Sequence, residues 1–92
     1  MEAFEAEVAR QVGRRIRQRR RFLDITQEEL ALRSEVHRTQ FSLIENGRRQ
    51  SRLHTLIRIG TALGVSPCQW LEGISWEPDR PASGVRGDGD DG

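Results

Sequence analysis

The chain has 92 residues, 35% of them hydrophobic, and a formal net charge of +1 at pH 7. A chain of this length has room for one small domain. Its single cysteine, Cys68, excludes an intramolecular disulfide, and its histidines and cysteine do not stand at metal-ligand spacing. No apolar run reaches the ~20 residues that a membrane span needs, and the acidic N-terminus lacks the apolar stretch of a signal peptide. We therefore expect a soluble cytoplasmic protein that holds no metal or cofactor and contacts no membrane.

The small net charge hides an uneven distribution. Residues 8–59 contain 13 arginines against five acidic residues, a net charge of +8, whereas residues 1–7 carry −3 and residues 74–92 carry −3. The sequence therefore predicts four parts in chain order: an acidic N-terminal extension (1–7), a basic domain (8–73), a short extended segment that is a possible dimer contact (74–78) and an acidic tail (79–92). The tail is rich in Gly, Pro, Ser and Asp, so we expect it to be disordered.

The first predicted element is a helix. Its apolar residues recur every four positions, which is the spacing of one helical stripe: Phe4, Val8, Val12 and Ile16. Arg20 occupies the next position on that stripe. A cation there lies either at the frayed end of the buried face or inside that face, and in the second case it must find a carboxylate.

Two shorter helices are predicted next. "TQEE" (26–29) is a capping box, so a helix should run over residues 27–34. Another should run over residues 38–45, with Phe41 and Ile44 facing inward. The opposite side of that helix carries three polar side chains and one leucine: Thr39, Ser42, Leu43 and Asn46.

The remaining signals predict two more helices and no strand. Gly47 ends the third helix, because glycine accepts the left-handed conformation that closes a helix. Apolar residues at helical spacing predict a fourth helix over residues 53–63, ended by Gly64. Pro67 suits a first helical position. With "CQWLE" it predicts a short fifth helix, closed by Gly73.

Four stretches, in this order and at these spacings, resemble the Cro/CI-type (XRE) helix-turn-helix family of phage and bacterial repressors: "GRRIRQRR", "ITQEELA", "FSLIENGRR" and "LIRIGTALGVS". The resemblance runs from Val12 to Gly73. It implies an all-α, five-helix, lambda-repressor-like domain that binds double-stranded DNA. The helix over residues 38–45 would be the recognition helix, which lies in the major groove.

The resemblance also implies roles for individual residues. Base contacts are expected from the outward side of the recognition helix: Arg38, Thr39, Ser42 and Leu43. Phosphate contacts are expected from the start of the second helix, the end of the recognition helix and the loop after it: Gln27, Asn46, Arg48 and Arg49. Arg20 and Glu45 match the family's internal ion pair, which would give the cation on the apolar stripe a structural role. Arg17 and Arg21 in the first helix have two interpretations, phosphate contact or solubilising surface.

The chain departs from the family pattern around the turn. Glu35 stands where the family prefers glycine, so it must adopt a left-handed conformation or shift the turn. His37 stands where Ser or Thr usually caps the recognition helix. Beyond the last helix, Trp76 and Ile74 either fold back on the domain or form part of a dimer contact.

Three functions fit this sequence. The first is a sequence-specific transcriptional regulator, associated with the nucleoid in the bacterial cytoplasm and expected to be a repressor that binds a pseudo-palindromic operator as a homodimer. The second is an antitoxin that neutralises a toxin through the C-terminal segment and autoregulates through the same domain. The third is a coactivator-like adaptor. An enzyme is not expected, because no nucleophile stands in a recognisable catalytic arrangement and no Gly-rich phosphate loop follows a strand.

The acidic tail also has two interpretations. It is either a solubilising end or a competitor of DNA phosphates for the arginine-rich surface.

Overall fold

The computed structural model describes residues 1–78, which form four α-helices and one 3₁₀ helix without a strand. In chain order these elements are α1 (Ala3–Phe22), α2 (Gln27–Ser34), α3 (Arg38–Glu45), α4 (Leu53–Leu63) and the 3₁₀ helix (Pro67–Trp70). The all-α class predicted from the sequence is confirmed. The prediction of a disordered tail at residues 79–92 lies outside the described residues. Within residues 1–78, none of the helices combines the length and the apolar character needed to cross a membrane.

Helix α1 begins earlier than the composition suggested. It starts at Ala3, so most of the acidic stretch 1–7 forms the first turns of the helix. A capping box holds this start, in which the Glu2 N–H donates to Glu5 Oε1 at 3.0 Å. Glutamates in a first helical turn also interact favourably with the helix dipole.

The prediction of a fifth α-helix is wrong, because the segment after α4 forms only a single 3₁₀ turn. Ser66 caps it, and the Gln69 N–H donates to the Ser66 carbonyl at 3.0 Å, which is an i to i+3 bond. Only five residues separate Pro67 from Gly73, where the chain turns left-handed at φ 78°. So short a segment closes few i to i+4 bonds, and the tighter 3₁₀ turn is the usual outcome.

An arginine of α1 binds the end of this 3₁₀ turn. Arg15 Nη1 donates to the carbonyl of Glu72 at 2.7 Å, to that of Trp70 at 3.2 Å and to that of Gln69 at 3.5 Å. The guanidinium therefore satisfies carbonyls that a short helix leaves without intrahelical partners.

The core lies where all five elements meet. Its fully buried side chains are Ile16, Leu30, Phe41, Ile44, Ile59, Leu63 and Trp70. The indole N–H of Trp70 is buried too, and it donates to the Leu56 carbonyl at 3.3 Å. Phe4, the first residue of the predicted apolar stripe, lies at the surface and is 39% exposed. The buried face of α1 thus starts about one turn after the helix does.

Glycine at position 13 allows α1 to lie directly on the C-terminal end of α3. A Cβ atom at Gly13 would lie 2.4 Å from the Ile44 carbonyl oxygen and 2.7 Å from that of Glu45. Both distances are shorter than van der Waals contact, and both neighbours are backbone atoms that cannot rotate away. Any larger residue would therefore have to separate the two helices.

Candidate nucleic-acid interface

The turn between α2 and α3 has the tight geometry that the sequence required. Glu35 adopts a left-handed conformation (φ 59°, ψ 41°), which is one of the two outcomes predicted for a residue in the place of a glycine; the other was a shifted turn. The Val36 N–H donates to the Ala31 carbonyl at 2.9 Å, which closes α2. His37 then caps α3, with its Nδ1 accepting from the Thr39 N–H at 3.3 Å. A histidine therefore fills the capping position that Ser or Thr usually fills.

Helix α3 has one side in the core and one side that faces outward. Phe41 and Ile44 are buried in the core. The four residues predicted to contact bases lie away from that core side, Arg38 and Thr39 exposed and Ser42 and Leu43 half-buried. The structure thus leaves these four side chains at or near the surface of one short helix.

Arg38 is weakly held. The nearest carboxylate belongs to Glu28 in α2, with 3.7 Å between Arg38 Nη1 and Glu28 Oε2, and both side chains are mostly exposed. An exposed pair at this distance contributes little free energy. The guanidinium can therefore leave Glu28 for a ligand at small cost.

The other end of α3 holds a buried ionic network. Arg20 Nε donates to Glu45 Oε2 at 2.6 Å, and Arg20 Nη2 donates to Oε1 at 3.0 Å, so the pair is bidentate. The Glu45 side chain is 0% exposed and that of Arg20 is 11% exposed. Arg20 also donates to the Ile25 carbonyl at 2.8 Å. The cation on the apolar stripe of α1 therefore lies inside the protein beside a carboxylate.

Gln27 belongs to the same network in this structure. Its Nε2 donates to Glu45 Oε1 at 3.0 Å, so side chains of α1 and α2 both bind the buried carboxylate of α3. Sequence reasoning gave Gln27 a phosphate contact and did not foresee this bond. The phosphate contact stays a prediction, and it would have to use the other amide hydrogen or the backbone N–H at the start of α2.

Asn46 and Arg17 lie together at the end of α3. Arg17 Nη2 donates to Asn46 Oδ1 at 2.5 Å and to the Glu45 carbonyl at 3.4 Å. The Asn46 amide in turn donates to Ser42 Oγ at 3.4 Å. Two predicted phosphate contacts and one predicted base contact therefore form a continuous polar chain along the surface.

The loop after α3 presents two cations that the rest of the fold does not use. Gly47 is left-handed (φ 72°), and the Arg48 N–H donates to the Leu43 carbonyl at 2.9 Å. Arg48 and Arg49 are exposed and make no ion pair within residues 1–78. Arg21, at the end of α1, is likewise exposed. These side chains can meet an anion without breaking an internal bond.

Comparison with known proteins identifies the family. Residues 11–71 match the sequence model of a helix-turn-helix domain, which is about two-thirds of the chain. The chain belongs to the Cro/CI-type helix-turn-helix family. The sequence resemblance based on four short stretches is thereby confirmed.

Relatives of this helix-turn-helix protein are regulators. The control protein C.BamHI from Bacillus amyloliquefaciens is 39% identical over 61 residues, which cover 65% of this chain and 75% of that protein. The crystal structure of the restriction-modification controller protein C.AhdI from Aeromonas hydrophila is similar with a TM-score of 0.66 and 29% identity, and covers 67% of this chain and 94% of that one. The crystal structure of the clp gene regulator ClgR from Corynebacterium glutamicum is similar with a TM-score of 0.67 and 30% identity. The similarity covers 70% of this chain and 68% of that one. The chain is accordingly a DNA-binding transcriptional regulator.

Two arginines near this surface were not among the predicted site residues of the helix-turn-helix domain. Arg10 and Arg14 lie with Arg17 around an open groove of about 440 Å³, which Glu45 and Asn46 complete. The signal was present in the sequence, since positions 10, 14 and 17 share one side of a helix. The position of that side relative to α3 could not be known before the helices were packed.

Proposed function

We propose that this chain is a sequence-specific repressor that binds a pseudo-palindromic operator as a homodimer. The observation that carries the proposal is α3 itself, whose apolar side is fixed in the core while Arg38, Thr39, Ser42 and Leu43 remain available at its surface. An α-helix of this kind fits the major groove, where each base pair presents a distinct pattern of donors, acceptors and methyl groups.

The proposal divides the polar residues by task. Arg38 would read base edges, because it sits at the start of α3 and is exposed. Leu43 would pack on a thymine methyl group. Asn46, Arg48 and Arg49 would bind phosphates and so set the register of the protein on the duplex, with Gln27 contributing from the start of α2.

The homodimer is supported by exposed apolar side chains near the C-terminal part of the domain. Leu53 is 75% exposed and Ile57, one turn later in α4, is 52% exposed. Leu53 and Leu71 line the same small cavity, so the two are neighbours. Trp76 is 63% exposed, whereas Ile74 packs against the core. A cluster of exposed apolar residues is typical of a protein interface.

The genes under control are proposed from the relatives. Two of them are controller proteins by name, and the similarity to C.AhdI covers nearly the whole of that chain. We therefore favour genes of a restriction-modification system as the targets. The antitoxin and adaptor functions remain predictions from the sequence.

Selection of bound duplexes from a random library tests the specificity directly. The expected result is an enriched inverted repeat whose half-site centres lie one helical turn, about 10 base pairs, or a multiple of it apart. An adaptor would enrich no motif, and that outcome would refute the proposal. Occurrence of the motif upstream of neighbouring restriction-modification genes would support the proposed targets, and a reporter behind that promoter would separate repression from activation.

The solution mass tests the homodimer. The wild-type chain should have twice the monomer mass at micromolar concentration, and Leu53→Asp combined with Ile57→Asp should give the monomer mass. Leu32→Asp is a matched control, because Leu32 is an equally exposed leucine on α2. A wild-type monomer at all concentrations, or equal dissociation by the control, would exclude this interface.

A further inference from the structure

The side of α1 that faces away from the 3₁₀ helix carries a row of arginines next to the end of α3. Arg10, Arg14 and Arg17 are spaced by four and three residues, which places them on one side of the helix. With Glu45 and Asn46 they line an open groove of about 440 Å³, here called the arginine groove. It differs from the surface on the other side of α1, where Arg15 and Arg19 bind backbone carbonyls.

The arginine groove is continuous with the loop proposed to bind phosphate. At Gly47 a Cβ atom would lie 3.0 Å from the Arg10 Cα, so the backbone that leads to Arg48 and Arg49 runs directly against α1. At the groove's other end, Arg17 is held by Asn46 Oδ1 at 2.5 Å. The cations of the loop and those of the groove therefore belong to one surface.

Little negative charge offsets the arginines of the groove. Glu45 is buried and bound in bidentate fashion by Arg20, so its charge is already matched. Arg10 pairs with the exposed carboxylate of Glu7 in the previous turn. Arg14 is exposed and makes no ion pair within residues 1–78. The groove thus keeps a net positive charge and a free guanidinium.

The pair between Arg10 and Glu7 is exchangeable. The hydrogen bond from Arg10, and then that from Gln11, lowers the pKa of the Glu7 carboxyl, so Glu7 stays ionised and competes for Arg10. Exposed pairs of this kind contribute little free energy in water. A phosphate that bridges Arg10 and Arg14 would make charge-assisted hydrogen bonds to both guanidinium groups, which the single carboxylate does not.

We propose that the arginine groove binds the DNA backbone just outside the half-site contacted by α3. This inference rests on the proposed DNA-binding function and extends it to flanking phosphates. Seven residues of α-helix span about 10 Å. That length corresponds to about three phosphates along one strand, measured on the duplex axis. The row of arginines therefore spans about three base pairs along the duplex axis and carries the charge to bind phosphates beyond the half-site.

The salt dependence of binding tests the groove. The probes are the selected duplex with eight added base pairs on each side, the same duplex trimmed to the outer edges of its half-sites, and a long duplex of unrelated sequence. The variant is Arg10→Gln with Arg14→Gln. On the extended duplex the slope of log K against log salt should fall in magnitude by about 1.8 per protomer, or about 3.6 for the dimer, since each phosphate contact contributes about 0.9. Binding to the trimmed duplex should not change.

Arg19→Gln with Arg33→Gln is the matched control. It removes the same charge, and it too breaks one exposed ion pair along a helix, between Arg33 and Glu29. Equal slopes for the two double variants, or an equal loss on the extended and trimmed duplexes, would overturn the inference. A thermal melt of each variant shows that both remain folded.

Glu7→Gln tests the same groove, and its expected effect on DNA affinity is opposite to that of the arginine changes. Removing the competing carboxylate should tighten binding to the extended duplex and leave the trimmed duplex unaffected. Weaker or unchanged binding to the extended duplex would count against the groove.

The duplex of unrelated sequence distinguishes failure of the proposed sequence-specific regulation from failure of phosphate binding in the arginine groove. If the wild-type chain selects no motif, sequence-specific regulation fails, whereas a slope change of about 1.8 per bound protomer on unrelated DNA would still support phosphate binding in the groove. If a motif emerges and the slope is unaffected by the Arg10 and Arg14 changes, only the inference about the groove fails.

Discussion

The two ends of α3 use charged residues in opposite ways. At the C-terminal end Glu45 is fully buried, and Arg20 and Gln27 bind both of its carboxylate oxygens. At the N-terminal end Arg38 is exposed and stands 3.7 Å from its nearest carboxylate. The first charge is bound inside the fold and the second is available to a ligand. One eight-residue helix therefore separates a structural end from a binding end, and mutations at the two ends should affect different properties.

The largest expected effect is at the structural end. Glu45→Ala would leave Arg20 nearly buried without its partner, and should lower the free energy of unfolding by about 3 kcal/mol. Urea denaturation measures this change. Replacing both partners, with Arg20→Met and Glu45→Leu, should restore much of the loss, since removing a buried pair as a whole is far less costly than removing half of it. A loss below about 1 kcal/mol in Glu45→Ala would mean that the network is not structural.

The packing of α1 on the structural end gives the next effect. Gly13→Ala should destabilise the fold by about 2 kcal/mol, because its Cβ would lie 2.4 Å from the Ile44 carbonyl oxygen. In an exposed helix interior the same change stabilises by about 1 kcal/mol, so the sign alone is informative. Gln18→Ala, an exposed position in the same helix, is the control in urea denaturation. An increase in stability for Gly13→Ala would contradict the close approach of α1 and α3.

At the binding end, and at the exposed arginines of the loop after α3, mutations should change DNA affinity and leave stability unchanged. Arg38→Ala should weaken operator binding by about 1 to 3 kcal/mol and relax specificity at one base pair. Arg49→Ala should weaken all sequences alike and reduce the salt slope by about 0.9 per protomer, or about 1.8 for the dimer. Binding measured on the operator and on single-base variants distinguishes the two. A uniform loss in both mutants would refute the division between base and phosphate contacts.

The smallest effect concerns the turn that leads into the binding end. Glu35→Gly should raise the free energy of unfolding by about 1 kcal/mol, because glycine adopts the left-handed conformation found at φ 59° without a steric penalty. Glu35→Ala keeps the Cβ atom and should give no such gain. If alanine stabilised as much as glycine, the benefit would come from the lost carboxylate and not from the backbone.

The sequence predicted the helices around the turn and the ion pair of the structural end better than it predicted the contacts between distant elements. The periodicity and capping signals placed α2 and α3 at the residues where the structure has them, and the resemblance paired Arg20 with Glu45. A left-handed Glu35 was one of the two outcomes predicted from the missing glycine. These features depend on residues close in sequence or on a family pattern that fixes their spacing.

Features that depend on the three-dimensional approach of distant elements were missed. The bond from Gln27 to Glu45 joins residues 18 positions apart. The hydrogen bond from Arg15 to the Glu72 carbonyl joins residues 57 positions apart. The 3₁₀ turn was predicted as an α-helix because the capping signals at Ser66 and Pro67 are the same for both. The two kinds of helix differ in hydrogen-bond register, i to i+3 against i to i+4, and so short a sequence does not indicate which register forms.

Glu45 also bears on how the domain opens. Its carboxylate is shared by side chains from α1 and α2 while its backbone belongs to α3, so none of the three helices can detach without leaving a buried charge short of partners. Local unfolding should therefore involve these three helices together as one cooperative unit. Amide protons of α1, α2 and α3 should then show the same free energy of opening in hydrogen exchange. The short helix that meets DNA would then be as slow to open as the long helix behind it.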